Sequence, residues 1–289
     1  MTADLGRIGL WAPCALWRQE GPALAEAAAE LDELGFGALW IGNGAPMFEV
    51  AEDILAATPR TAVATGIANI WLHPAAAAAQ AAEKAAASHP DRLLLGVGNG
   101  PREASQWLLS PYARMIEYFD ELDLLGVPVE NRILAAVGPR MLALAKERSV
   151  GAHPFLTTPE HTKEAREALG EGPLLAPELK VVLDPDPARA RATARQALDF
   201  YLTKRGYSRN LKRSGFTDAD LVGGGSDRLV DAVVAWGGPD KILRRVGEYL
   251  DAGADHVALQ VITDDTDHPD LSRRRLPRAE YRILAEALL

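Results

Sequence analysis

Short apolar runs alternate with stretches of helical periodicity along most of this chain. Each run has the length of a buried strand, and the stretch after it repeats its apolar positions every three to four residues. We predict strands at residues 8–12, 38–41, 61–72, 93–97, 133–137, 152–156, 179–183 and 257–262. Helices are predicted at residues 24–34, 48–57, 74–88, 113–125, 140–148, 160–169 and 188–204. This alternation is typical of a parallel sheet that is covered by helices.

Eight strand–helix units in 289 residues favour a closed (β/α)8 TIM barrel over an open, doubly wound sheet. We therefore predict an α/β fold with one barrel domain over residues 1–289. The unit after the seventh strand is too long for a single helix. Residues 201–255 form a predicted helical insertion, with at least two further helices at residues 227–236 and 240–252.

Charge and cysteine content narrow the possible functions. The chain has 31 basic and 40 acidic residues, a net charge of −9, which disfavours a nucleic-acid-binding protein. The single cysteine, Cys14, excludes an intramolecular disulfide and fits a reducing compartment. The sequence has neither the pattern of a secretory signal nor an apolar stretch of membrane-spanning length. We expect a cytoplasmic protein that binds neither a membrane nor nucleic acid.

The predicted strand ends carry few acids and bases. In a (β/α)8 barrel the chemistry occurs where the strands end, and here those positions hold glycine, threonine and the amides Asn43, Asn69 and Asn99. A lysine for Schiff-base chemistry does not follow any strand, and no metal-ligand spacing is present. Such a rim suits a cofactor that brings its own chemistry, although a barrel that only binds a ligand would carry the same residues.

Several motifs together resemble the luciferase-like monooxygenase superfamily, and more closely its actinobacterial branch of deazaflavin-dependent oxidoreductases. They are ATGIANIWLHPA, SHPDRLLLGVGNG, LAAVGPRMLALA, HPFLTTPEHT, GFTDADLVGGGSDRLVDAVVAWG and DAGADHVALQV. These motifs extend over most of the chain. The resemblance implies a luciferase-like barrel with an insertion after strand 7, and it implies enzymes that are often homodimers.

The resemblance also implies a flavin or deazaflavin that lies across the strand ends. In this superfamily the third strand has a bulge, often with a non-prolyl cis peptide, behind the cofactor ring. Gly66 and Ile67 match that bulge and are followed by Ala68 and Asn69. The deazaflavin, coenzyme F420, carries a phosphate and a polyglutamate tail.

The expected phosphate position follows from the same resemblance. Gly138 and the pair Thr157-Thr158 match the side of the barrel where the superfamily holds the cofactor phosphate. Helix starts at these positions would present free N–H groups to an anion. The basic run at residues 204–213 would suit the anionic tail, and a solvated helix face is the alternative interpretation.

Two departures from the family pattern affect the chemistry. Better-known deazaflavin enzymes have an Asp-His pair after strand 2, where this chain has Asn43-Gly44. Some have a proton-donating glutamate after the glycines of strand 4, where this chain has Pro101, with Glu103 two residues later. The usual proton donor is therefore absent or relocated, and we assign no catalytic residue.

We predict an oxidoreductase that transfers a hydride between coenzyme F420 and a small organic substrate. Asn43, Asn69 and Asn99 would contact the cofactor ring or the substrate, and no metal is expected. The walls of the substrate pocket are predicted to be formed by Trp11, Met47 and Phe48. The alternatives are an FMN-dependent luciferase-like monooxygenase, a catalytically degenerate barrel that binds a ligand, and an unrelated barrel enzyme such as an isomerase.

Overall fold

Eleven parallel strands form one sheet in the computed structural model, which describes residues 3–100, 110–264, 266 and 273–289. All pairings between neighbouring strands are parallel. The strands are β1 Ile8–Pro13, β2 Ala38–Gly42, β3 Ala62–Gly66, β4 Ala68–Asn69, β5 Leu93–Gly98, β6 Arg132–Leu134, β7 Gly151–Ala152, β8 Leu174–Leu175, β9 Glu178–Val182, β10 Val234–Trp236 and β11 Val257–Val261.

The sheet closes on itself through its seventh strand. Its order is β10-β9-β11-β1-β2-β3-β5-β6-β7-β8, with β4 beside β5, and only Ala176 and Pro177 separate β8 from β9. The Ala176 N–H donates to the carbonyl of Ala152 in β7 (2.9 Å), and the Ala258 N–H in β11 donates to the carbonyl of Pro177 (2.9 Å). Strand β8 thus pairs with β7, and its continuation β9 pairs with β11, which closes the sheet into a barrel. If β3/β4 and β8/β9 each count as one barrel strand, and the additional strand β10 beside β9 is left out, eight strands remain, so the predicted (β/α)8 barrel is confirmed.

Twelve helices surround the sheet in the described residues. Proline occupies the first turn of several of them, where its fixed φ suits a helix and its missing N–H removes no bond. They are α1 Cys14–Glu20, α2 Leu24–Leu34, α3 Met47–Ala57, α4 Ala75–Ser88, α5 Pro111–Leu124, α6 Pro139–Arg148, α7 Pro159–Leu169, α8 Pro187–Leu202, α9 Arg205–Arg213, α10 Asp227–Val233, α11 Pro239–Asp251 and α12 Arg278–Leu288. Across the described ranges, no helix combines the length and apolarity that membrane crossing needs.

The extended unit after the seventh strand has more elements than the sequence indicated. Helices α8 to α11 and strand β10 lie between β9 and β11. The helix predicted at residues 227–236 ends at Val233, and the next three residues form β10. Trp236 pairs with Val182, so strand pairing outweighs the helical spacing of this apolar segment.

Three other expectations from the sequence need correction. The strand predicted at residues 61–72 is divided at Ile67 and ends at Asn69, because a turn follows there. The fifth and sixth strands lie earlier and are shorter than predicted, at Arg132–Leu134 and Gly151–Ala152. Helix α1, strand β8 and helix α12 were not predicted. Helix α1 and strand β8 are short, whereas the helical spacing of Tyr281, Leu284 and Ala285 in α12 was not recognised.

Candidate functional site

The bulge of the third strand lies at the mouth of the barrel, meaning the carboxyl ends of its strands. Strand β3 stops at Gly66 and β4 begins at Ala68, and the Gly66–Ile67 peptide bond is cis. The indole N–H of Trp11 donates to the carbonyl of Gly66 (2.9 Å). A Cβ atom on residue 66 would lie 2.5 Å from Nε1 of Trp11, so glycine is required for this close approach. The bulge implied by the family resemblance is therefore present and rests on Trp11.

Asn43 and Asn99 directly follow β2 and β5, the two strands that flank this bulge. Gly42, directly before Asn43, is in register with Gly66, and Gly98, directly before Asn99, is in register with Asn69. The Oδ1 atoms of Asn43 and Asn99 are buried and accept no hydrogen bond from a described residue. Leaving a buried acceptor without a partner costs about 1–3 kcal/mol. Two such oxygens beside one bulge fit a ligand that brings hydrogen-bond donors.

Asn69 shapes the loop that follows the bulge. Its side chain is fully buried, and its Oδ1 accepts a hydrogen bond from the backbone N–H of Trp71 (3.1 Å). A Cβ atom on Gly100 would lie 2.6 Å from Nδ2 of Asn69, so the loop after β5 packs closely on this amide. Ala68 is also fully buried and pairs with Val97. Asn69 and Ala68 therefore directly follow the bulge, as expected, and both have a structural role: Asn69 holds the following loop, and Ala68 pairs with β5.

Two helix starts meet on another side of the mouth. Gly138 precedes α6 and provides no side-chain cap, whereas the Thr158 hydroxyl caps α7 by accepting from the N–H of His161 (3.3 Å). His161 donates from Nε2 to the carbonyl of Val137 (2.8 Å), which joins the two helix starts. We call Gly138, Thr157, Thr158 and His161 the anion cradle.

Two polar atoms of the anion cradle have no partner in the described part of the chain. The Oγ1 of Thr157 and the Nδ1 of His161 are both buried. Burial lowers the pKa of His161. Because Nε2 carries the proton donated to Val137, the Nδ1 of the neutral ring is an acceptor, which can meet a phosphate only through a P–OH hydrogen. The guanidinium of Arg213 lies beside them and donates to the same Val137 carbonyl (2.6 Å). Free N–H groups, a spare hydroxyl and a neighbouring cation suit a phosphate.

The three residues predicted to line the substrate pocket differ in burial and in their contacts. Trp11 is buried, and its ring lies 5.5 Å from that of Phe155 at a tilted angle. Phe48 is half-buried and meets the ring of His73 edge-to-face at 5.3 Å. Met47 is only 1% exposed and packs in the hydrophobic core with Ile41 and Val50. Trp11 and Phe48 are therefore better placed than Met47 to border an open site.

Sequence reasoning missed a buried ion pair near the mouth. Lys180 donates from Nζ to Oε1 of Glu178 (2.9 Å) and to Oε1 of Gln260 (3.0 Å), and its Nζ lies 3.9 Å from the centre of the Phe155 ring. Burial lowers the pKa of Lys180. The chemistry of a barrel is expected at residues where its strands end, whereas Lys180 lies inside β9. The detectable signal was a lysine within the otherwise strand-like run ELKVV.

Pro101 and Glu103, at the place of the family's usual proton donor, lie outside the described residues. Among the residues that are described, no three histidine, cysteine, aspartate or glutamate side chains form a group that could hold a metal ion.

Comparisons with known proteins place this geometry in context. Residues 12–126 match the family model described as luciferase-like monooxygenase. No match was found among curated protein sequences. An F420-dependent secondary alcohol dehydrogenase, solved with an F420–acetone adduct, has 14% sequence identity and a TM-score of 0.73. That comparison covers 100% of this chain and 98% of the dehydrogenase.

Two further solved structures have the same fold. The coenzyme F420-dependent tetrahydromethanopterin reductase from Methanopyrus kandleri has 15% identity, 99% coverage of both chains and a TM-score of 0.72. The oxygenating part of 3,6-diketocamphane monooxygenase from Pseudomonas putida, solved with FMN, has 14% identity and a TM-score of 0.62. The latter comparison covers 98% of this chain and 99% of the monooxygenase. The chain thus has a luciferase-like barrel fold, and its residues 12–126 match the luciferase-like monooxygenase family, as the sequence motifs indicated.

Proposed function

We propose that this protein is an oxidoreductase that uses coenzyme F420 to exchange a hydride with a small organic substrate. The observation that carries the proposal is the pair of unpartnered buried oxygens, on Asn43 and Asn99, on either side of the Gly66–Ile67 bulge. A flat heterocyclic ring with polar edges supplies donors for these oxygens and a face that the bulge can support. The anion cradle then receives the phosphate of the same cofactor.

The residues of the chain have separate tasks in this proposal. Trp11 fixes the Gly66 carbonyl and thereby the surface behind the ring, and Asn43 and Asn99 orient the ring by accepting hydrogen bonds. Thr157 and Arg213 hold the phosphate. When bound, the deazaflavin exchanges a hydride with the substrate, and water supplies or accepts the accompanying proton. The protein sets the reacting face and the distance, which is where it contributes to the rate.

Coenzyme F420 takes precedence over FMN for two reasons. The two F420-dependent neighbours overlap this chain more closely, with TM-scores of 0.73 and 0.72, than the FMN-bound monooxygenase does at 0.62. The basic side chains of helix α9 also suit the acidic tail of coenzyme F420, which FMN lacks. An FMN-dependent monooxygenase is the second candidate, because the matching family model is named for monooxygenases. A homodimer is part of the proposal.

Fluorescence titration of the purified protein with coenzyme F420, and separately with FMN, tests this function. We expect saturable binding of F420 in the micromolar range or tighter, and much weaker binding of FMN. Preference for FMN would establish the monooxygenase alternative instead. Binding of neither would contradict both and leave a ligand-binding barrel or another barrel chemistry.

Gly66→Ala tests whether the bulge forms the binding surface. The added Cβ would displace the Trp11 indole, so we expect F420 affinity to fall at least tenfold, with a stability loss of about 1–3 kcal/mol from overpacking. Gly247→Ala is the matched control, because a Cβ there meets no atom within 4 Å. Unchanged affinity in a folded Gly66→Ala variant would place the cofactor elsewhere.

A further inference from the structure

Four aromatic side chains form a continuous surface beside the bulge. The ring centroid of Phe155 lies 5.5 Å from that of Trp11. It also lies 5.2 Å from that of Tyr201 and 5.9 Å from that of Tyr207, and the two tyrosine rings meet edge-to-face at 5.5 Å. Tilted or edge-to-face rings at about 4.5–7 Å attract one another. We call Trp11, Phe155, Tyr201 and Tyr207 the aromatic wall.

The aromatic wall combines side chains from separate segments of the barrel. Trp11 lies on β1 and donates to the Gly66 carbonyl of the bulge (2.9 Å). Phe155 lies between β7 and the anion cradle in the chain. Tyr201 lies on α8 and Tyr207 on α9, both in the long unit after the seventh strand. The wall therefore starts at the surface that would support the cofactor ring and continues away from it.

The buried ion pair fixes the aromatic wall from inside the barrel. Nζ of Lys180 lies over the rings of Phe155 and Tyr201, 3.9 Å and 4.9 Å from their centroids. The hydrogen bonds of Lys180 to Glu178 and Gln260 hold this ammonium on strands β9 and β11. A cation within about 6 Å of a ring centroid attracts the face of that ring. Two rings of the wall are thus held by rigid strands.

These contacts preorganise the wall for a flat ligand. Phe155, Tyr201 and Tyr207 are half-buried, so each keeps part of its surface accessible. Lys180 and Glu178 are buried and carry opposite charges, so the pair adds no net charge beneath the rings. The wall attracts a ligand through its rings, and an aromatic ligand gains from the ring quadrupoles what a saturated ring of the same size does not.

We propose that the aromatic wall binds the organic substrate, that this substrate is a planar aromatic compound with a hydride-accepting carbonyl, and that Lys180 is a positioning residue of the wall. This proposal rests on the proposed function. The carbonyl carbon gains the hydride of the reduced deazaflavin, and the carbonyl oxygen gains a proton from water. The C=O π bond is thereby replaced by a C–H and an O–H bond. The substrate is reduced by two electrons, and the deazaflavin is oxidised.

Isothermal titration calorimetry with two ketones of the same carbon skeleton tests the substrate class. Acetophenone carries a planar aromatic ring, and cyclohexyl methyl ketone carries a saturated ring. Each is titrated into protein saturated with oxidised F420, after fluorescence has established that the cofactor binds. We expect acetophenone to bind about 2- to 13-fold more tightly, the equivalent of about 0.5–1.5 kcal/mol for one aromatic contact at about 1.4 kcal/mol per tenfold change. A pocket that is only apolar has no such preference.

Phe155→Leu removes the central ring of the wall and should abolish the preference for acetophenone. Tyr207→Leu should lower it and provides a second test if Phe155→Leu does not fold. Phe200→Leu is the matched control, because Phe200 is 52% exposed and lies outside the wall, and it should keep the preference. The two ketones are compared within each F420-saturated protein, so a change in cofactor affinity does not alter the ratio.

The double variant Glu178→Gln/Lys180→Met tests the positioning role. It removes the cation without leaving an unpaired carboxylate in the barrel, since breaking a buried ion pair from one side alone is strongly destabilising. We expect the preference for acetophenone to fall towards that of Phe155→Leu. A double variant with the wild-type preference would overturn the role of Lys180.

The remaining outcomes separate this proposal from the proposed function. Equal or tighter binding of the saturated ketone, or binding of neither ketone, by the F420-saturated wild type would overturn the substrate class and leave the proposed function standing. The same holds if Phe155→Leu keeps the preference. Failure of F420 itself to bind would overturn the proposed function.

Discussion

Trp40 links two histidines inside the barrel below the mouth. Its indole stacks on the ring of His153 (centroids 4.1 Å apart) and donates from Nε1 to Nε2 of His256 (3.0 Å). The Nδ1 atoms of the histidines lie against the carbonyls of Ala176 (2.6 Å) and Gly6 (2.9 Å). His256 must be neutral to accept this hydrogen bond, and burial disfavours the charged form of both rings. Burial lowers the pKa of both His153 and His256 to about 4.

These histidines predict a loss of stability in mild acid. Below the ordinary histidine pKa of about 6.5 the unfolded chain takes up protons that the folded chain does not, so protonation favours unfolding. The free energy of unfolding should fall by about 1.4 kcal/mol per pH unit for each histidine, from about pH 6.5 to about pH 4. Denaturant unfolding across this range measures the slope.

His256→Gln isolates one contribution, because glutamine can still accept the Trp40 hydrogen bond but does not titrate. Its slope should be shallower than that of the wild type by the share of one histidine. His89→Gln is the control, since it leaves both buried rings in place and should keep the wild-type slope. Identical slopes in all three proteins would contradict the assigned pKa shifts.

At the scale of the element, helix α7 combines a structural cap with a spare hydroxyl. Thr158 accepts the N–H of His161 and thereby satisfies one free donor at the helix start. Its neighbour Thr157 uses only its backbone carbonyl, which accepts from the hydroxyl of Tyr249 (2.5 Å). Adjacent threonines with the same side chain therefore serve different purposes: one stabilises the helix, and the other is available to a ligand.

Two substitutions separate these purposes. Thr158→Ala should lower the free energy of unfolding by about 1 kcal/mol, because the cap is lost. Thr157→Val should leave stability unchanged or raise it slightly, because it removes a buried hydroxyl without a partner, and should weaken cofactor binding about tenfold. Chemical unfolding and fluorescence titration provide the two readouts. A Thr157→Val variant that loses more than about 1 kcal/mol would show that the hydroxyl has a structural partner.

The sequence predicted elements whose local pattern agrees with the final fold. Strands β1, β2, β5 and β11 have uninterrupted apolar runs and lie within a residue or so of their predicted bounds. The division of the third strand at Ile67 and the strand β10 depend on pairing with distant segments, which periodicity does not encode. For the site, the amides Asn43 and Asn99 at the strand ends were found from the sequence pattern, whereas the bulge at Gly66 and Ile67 was implied by the family resemblance. Lys180 was missed because its ion pair with Glu178 forms only when β9 is buried.

On the scale of the whole molecule, the end of the chain is anchored on its beginning. Helix α12 packs against α2, and the ring of Tyr281 meets the ring of Phe36, in the loop after α2, edge-to-face at 6.5 Å. Arg278 and Arg282 form ion pairs with Glu30 of α2. This contact covers the outside of the barrel where β1 and β2 lie, so the last helix contributes to the stability of the first units.

Removing the buried ring of this contact should destabilise the entire barrel. Tyr281 is 1% exposed, so Tyr281→Ala should lower the free energy of unfolding by about 3–5 kcal/mol through loss of burial and formation of a cavity. Ile283→Ala is the matched control on the same helix, because Ile283 is 44% exposed and should cost less than about 1 kcal/mol. Equal losses in the two variants, measured by denaturant unfolding, would argue that α12 is not anchored through Tyr281.

The pairing of β1 with β11 has a consequence for biosynthesis. Ile8 is in register with Val257, so one edge of the first strand lacks its partner until residue 257 has been translated. At about 5–20 residues per second, the nascent chain carries that open edge for roughly 12–50 s. An unpaired apolar strand edge is a template for aggregation. We therefore expect the ribosome-bound intermediate, rather than the finished barrel, to be the form of this protein most prone to aggregation.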